Sequence, residues 1–147
     1  MKTLYFHSQK QIVSTGGLIL LGLALVACGS GKKAACETVL ETIYATEEQL
    51  ARGVQTPETL NTNAEYYKTL ATELEALELQ NEQLHESVEN LATAYSEHAA
   101  SWLATAEVTT AEGTIRGEEA YRKSAARELR SQNQIQLHTD RLIAACR

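Results

Sequence analysis

Glu82-Gln83-Leu84-His85 has the Glu-x-x-His spacing with which carboxylate-bridged di-iron bundles hold their metals. Such centres need a second copy of the motif and further inward-facing glutamates. The second motif is missing, because Ile135 stands three residues before His138 and Tyr95 three before His98. His85 also lies beside Leu84 and off the apolar stripe, so the pair is read as a solvated helix face. Haem chemistry finds no CxxCH attachment motif, and the one methionine is Met1. Ser96 and His98 are two residues apart on one helix and point to different faces, which excludes a nucleophile–base pair. His98 is expected to hydrogen-bond Glu97 or a neighbouring helix. Tyr44, Tyr67, Tyr95 and Tyr121 fall on or beside apolar stripes, so their hydroxyls need partners or must reach the rim. A cavity where Tyr67, Tyr95, His98 and Gln132 converge would suit a small ligand or a cation. Ordinary packing is the preferred reading, and no catalytic, cofactor-binding or metal-binding residue is assigned.

The N-terminus points to location. Lys2 and Lys10 precede an apolar run from Leu18 to Ala27, and no acidic residue occurs before Cys28. This arrangement is typical of an export signal with small residues before the cut. The run is shorter than the roughly 20 residues a membrane-spanning helix requires. Leu25-Val26-Ala27-Cys28 resembles the lipobox of bacterial lipoproteins. The resemblance covers the first 28 residues. It implies that residues 1–27 are a signal peptide and that Cys28 carries a diacylglycerol anchoring the protein to a membrane. Residues 28–35 then form a flexible tether, with Lys32 and Lys33 near anionic headgroups. The expected place is the bacterial cell envelope, facing the periplasm or exterior. Gly29, where many inner-membrane lipoproteins carry aspartate, favours the outer membrane.

Cleavage before Cys28 leaves 120 residues, enough for one domain and too few for two. That mature chain has 11 Lys/Arg against 19 Asp/Glu, a net charge of −8, which argues against a nucleic-acid partner. From Glu37 to Glu97 there are 13 acids and two bases, whereas from Glu118 onward four acids face six bases. Internal matching of an acidic body to a basic last segment is the expectation.

With Cys28 lipidated, Cys36 and Cys146 remain outside the cytoplasm, where an even count favours a disulfide. The periodicity is helical throughout. A first helix is predicted from about Cys36 to Ala51, with Gly53 as its stop. A second begins at Pro57 behind the N-cap Thr56 and buries Leu60, Ala64, Tyr67, Leu70, Ala71, Leu74 and Leu77. A third carries Leu84, Val88, Leu91, Tyr95 and Trp102 and fades near Thr109. After a connection at 109–117, a fourth from Glu118 to Ala145 is expected to bury Tyr121, Ala125, Leu129, Ile135 and Leu142, with Ile143 beside them. No strong breaker separates the second helix from the third. The cysteines settle the choice, since disulfide Cα atoms lie within about 7 Å. Three antiparallel elements would leave Cys36 and Cys146 a helix length apart, and four bring them together. The fold class is therefore all-α, an up-down-up-down antiparallel four-helix bundle over residues 36–147, with Asn81 as the N-cap that breaks the chain.

These readings describe a lipid-anchored, non-enzymatic envelope protein, a structural or protein-interaction module with a possible envelope protein partner. The alternative is a small-ligand or cation-binding bundle with a polar Tyr/His cavity.

Overall fold

The computed structural model describes residues 31–50 and 53–147; the LVAC motif and Cys28 lie outside the described residues. Among the described residues are four helices: α1 (Gly31–Gln49), α2 (Pro57–Glu75), α3 (Glu82–Ala106) and α4 (Glu118–Cys146). They pack as an all-α four-helix bundle. Helix α3 touches all three others, and α1 reaches it across the diagonal, whereas α2 and α4 do not meet. No helix among the described residues is long and apolar enough to cross a membrane.

The helix boundaries follow from local chemistry. Thr56 has extended backbone and its hydroxyl accepts from the Thr59 N–H at 3.3 Å, with Pro57 in the first turn of α2. Asn81 does the same for α3, its Oδ1 accepting from the Leu84 N–H at 2.9 Å. The break between Leu77 and Asn81 therefore exists, although the apolar heptad runs through it in phase. Replacing Asn81 by Ala leaves that N–H without a partner. The expected result is a loss of about 1 kcal/mol in urea-unfolding free energy. An unchanged midpoint would show that the break is held by packing alone. At the same end as the α1–α2 connection, residues 109–117 form a tight return with one bridge, Thr109 to Ile115. Gly113 sits there at φ +82°, where a Cβ would meet Val54 Cγ1 at 2.7 Å. Glycine is thus required for the two connections to touch.

Helix α1 begins at Gly31, five residues before the predicted start at Cys36, so residues 31–35 of the expected tether are helical. Lys32, Lys33, Ala34 and Ala35 are all good helix formers, which explains the early start.

Two apolar clusters fill the interior. The larger joins Cys36, Val39 and Ile43 of α1 to Leu70 and Leu74 of α2, Leu84, Val88 and Leu91 of α3, and Leu142 of α4. It lies at the end where Cys36 and Cys146 are disulfide-bonded, with Cα atoms 5.8 Å apart. The smaller cluster uses α2 and α3 only: Leu60, Ala64, Ala99, Trp102 and Ala106. Helix α4 meets this second half with the buried serines Ser124 and Ser131. The core is therefore apolar at the stapled end and becomes polar toward the connections.

The expected burial along the first half of α4 is overturned. Tyr121 is 59% exposed, Leu129 60% and Ala125 is also exposed. The row facing the bundle is Ser124, Glu128, Ser131, Ile135, His138 and Leu142, at alternating spacings of four and three. Its members are mostly polar, so a search for apolar periodicity selects the neighbouring row. Tyr44 on α1 is likewise 60% exposed.

The charge asymmetry is not resolved by contacts between helices. Ion pairs among the described residues are Lys33–Glu37, Arg122–Glu118 and Lys123–Glu119, each one turn apart on a single helix and exposed. Arg127, Arg130 and Arg141 form none with the acidic helices. The long helix α4 instead satisfies its own first-turn acids, the cheapest pairing for a solvated helix.

Candidate functional site

Between the two apolar clusters the bundle carries an aromatic centre. Tyr95, His98 and Trp102 are spaced by three and four residues, so α3 presents them on one face. Tyr67 of α2 packs across them. Its ring stacks on Tyr95 with centroids 5.7 Å apart, and meets His98 at 4.8 Å and Trp102 at 5.6 Å edge-on. His98 and Trp102 are tilted together at 5.3 Å. Such separations are those of aromatic side chains in contact, which leaves no room for a ligand between them.

His98 is the polar member of this centre, 3% exposed. Its Nδ1 lies 2.8 Å from Ser131 Oγ on α4, and Ser131 Oγ donates to the Glu128 carbonyl at 2.9 Å. A serine has one hydroxyl proton. Both bonds form together only if Nδ1 carries the histidine proton and Ser131 accepts it. In the neutral ring the lone pair is then on Nε2. Burial agrees with this, holding the His98 pKa down to about 4. The pair has the distance of a nucleophile and its base, but the opposite polarity. A base would direct its lone pair at the hydroxyl, and here it directs a proton.

The tyrosines are held neutral as well. Burial, followed by the negative charges of Glu47 and Glu128, pushes Tyr67 up to about 12. Tyr95 is raised well above the ordinary phenol range by burial, then by Glu47 and Tyr67. Neither can supply a phenolate near neutral pH. Among the described residues, three polar atoms are enclosed without a hydrogen-bond partner: Trp102 Nε1 in this centre, and Ser101 Oγ and His138 Nδ1.

Of the four residues considered for a cavity, Tyr67, Tyr95 and His98 converge and Gln132 does not. Gln132 is exposed and lines a separate surface groove with Tyr121 and Leu129. Glu82 and His85 are exposed in the first turns of α3. No group of three or more His, Cys, Asp or Glu among the described residues could hold a metal ion. Of the two partners expected for His98, Glu97 or a neighbouring helix, the second is found; Ser131 itself was missed, because a serine in a polar stretch gives no hydropathy signal.

Fold and centre together define a four-helix bundle closed end to end by a disulfide and packed around a neutral Tyr/His/Trp layer. Comparisons with family models, curated proteins and solved structures find no match to this chain.

Proposed function

We propose that this protein is a lipid-anchored component of the bacterial envelope that acts as a non-enzymatic structural or protein-interaction module. The observation that carries the reading is the juxtaposition of Cys28 with the staple. Cys36, eight residues after the lipidation cysteine, is bonded to Cys146, one residue from the end of the chain. One end of the bundle is thereby tied to the tether. The end of α1, the start of α2 and the return at 107–117 then face away from the anchoring membrane. The filled aromatic centre supports a packing role for Tyr67, Tyr95 and His98 over the alternative of a Tyr/His ligand cavity. Location in the outer membrane, and an envelope protein as partner, belong to the same proposal.

Replacing Cys28 by Ala tests the anchor. The wild-type chain expressed in a bacterial host should incorporate radiolabelled palmitate and fractionate with membranes. The variant should incorporate none and accumulate as the uncut precursor. Equal labelling of the two would refute the lipoprotein reading.

A further inference from the structure

We infer that α1 of one molecule packs against α4 of a second copy of this chain, in a head-to-tail contact with both stapled ends at the same level. The inference goes beyond the proposed function, rests on the fold, and stands whether or not Cys28 carries lipid. Two exposed rows of complementary charge carry it.

The acidic row is on α1. Glu37, Glu41, Tyr44 and Glu48 follow one another at helical spacings of four, three and four, so they share a face. All four are exposed, and their face points away from the buried Val39, Ile43 and Thr46. Tyr44 stands in the middle of the row, 60% exposed.

The cationic row is on α4. Lys123, Arg127, Arg130 and Arg141 each directly precede a residue of the inward row, namely Ser124, Glu128, Ser131 and Leu142. They therefore lie about 100° round the helix from the core-facing row. Leu137 precedes His138 and belongs to the same row, 43% exposed. Glu41, Arg127, Arg130 and Arg141 form no ion pair among the described residues, and none joins the two rows within one molecule. The charge asymmetry of the sequence is thus left for a contact between molecules.

The rows match in position as well as in charge. The disulfide sets a common origin, with the Cys36 and Cys146 Cα atoms 5.8 Å apart. Glu41 is five residues after Cys36, and Arg141 is five before Cys146. At 1.5 Å rise per residue, both lie about 7.5 Å from the staple along their helices. Tyr44 and Leu137 follow at about 12 and 13.5 Å, and Arg130 lies about one turn beyond Glu48. A second copy set alongside, with its staple at the same level, therefore brings carboxylate to guanidinium and tyrosine to leucine. The two helices then run antiparallel. The contact joins unlike faces, so its repetition gives a ring or an open row. Net negative charge opposes association at long range, and one helix pair is a small interface, so the contact is expected to be weak.

The test is sedimentation velocity of the full chain over a range of protein concentrations, with detergent micelles in large excess. The mass of the wild type should rise with protein concentration. Glu41→Arg and Arg141→Glu each set like charges together and should each weaken association by roughly ten-fold, although they move the net charge in opposite directions. The double variant Glu41→Arg/Arg141→Glu restores opposite charges across the contact and should associate like the wild type. Tyr44→Ala should weaken association as well. Glu65→Arg and Arg122→Glu make the same charge changes away from both rows and should leave it unchanged. Circular dichroism of the variants verifies that they fold. A wild type that stays monomeric at every concentration would leave the rows to a different protein and overturn the assignment. A double variant no better than its singles, or equal losses in the two controls, would overturn it too.

Discussion

Reduction of the Cys36–Cys146 bridge is expected to lower the unfolding free energy by about 5 kcal/mol, while far-ultraviolet circular dichroism at 25 °C stays that of a helical bundle. The size comes from the unfolded state. The cysteines are 110 residues apart, so the bridge closes nearly the whole domain into one loop and removes a large part of the unfolded chain's freedom. At roughly 4 °C per kcal/mol for a domain of this size, the melting temperature should fall by about 20 °C. The asymmetry of the core sharpens the expectation. Helix α1 contributes Cys36, Val39 and Ile43 at the stapled end, and α4 contributes Leu142 there. Toward the connections α4 is held by Ser124, Ser131 and the bond to His98. With little apolar burial to hold α4 in that half, the covalent tie at its far end does more than in an evenly packed bundle. A melting temperature that moves by only a degree or two on reduction would mean the four helices are held by packing alone.

The second large effect is acid sensitivity centred on His98. In the unfolded chain its imidazole takes a proton near pH 6.5. In the folded protein burial delays this until about pH 4. Between these values the unfolded state binds more protons, so stability must fall as the pH falls. The contribution is fully present above pH 6.5 and lost on descending to about pH 4. At 1.36 kcal/mol per unit of pKa, the whole of it is about 3 kcal/mol. Tyr67, Glu47 and Glu128 surround the centre. His98→Gln separates the contributions. Urea unfolding at pH 7 and pH 4.5 should show a steep loss in the wild type and a much shallower one in the variant. Identical slopes for the two proteins would assign the acid sensitivity elsewhere.

How far the sequence reveals this fold depends on which chemistry sets each feature. Leu60, Leu70, Leu74, Leu84, Val88 and Leu91 are buried as their spacing predicts, because in α2 and α3 apolarity and inwardness coincide. The caps at Thr56 and Asn81 were legible for the same kind of reason, since a short polar side chain before a helical run has a local task. The pairing of Cys36 with Cys146 was legible through cysteine count and the expected compartment, and it in turn selected four helices over three. In α4 that logic fails. Its inward row begins Ser124, Glu128, Ser131, and its more apolar row of Tyr121, Ala125 and Leu129 faces out. Nothing in hydropathy distinguishes a serine that serves a buried histidine from one that faces water. The partner of His98 is fixed by the register of α3 against α4, a tertiary quantity invisible in one sequence. The ion pairs were misjudged because net charge per segment says which charges exist, not which side chains can reach one another.

The central claim, a domain closed by its staple beside a lipid anchor, is tested most directly by mass spectrometry of a non-reducing proteolytic digest of the membrane-extracted protein. The account predicts an N-terminal peptide that begins at Cys28 with diacylglycerol on its sulfur, and a peptide cross-linked between Cys36 and Cys146 in the same digest. An unmodified N-terminus upstream of Cys28, together with freely alkylated Cys36 and Cys146, would contradict it.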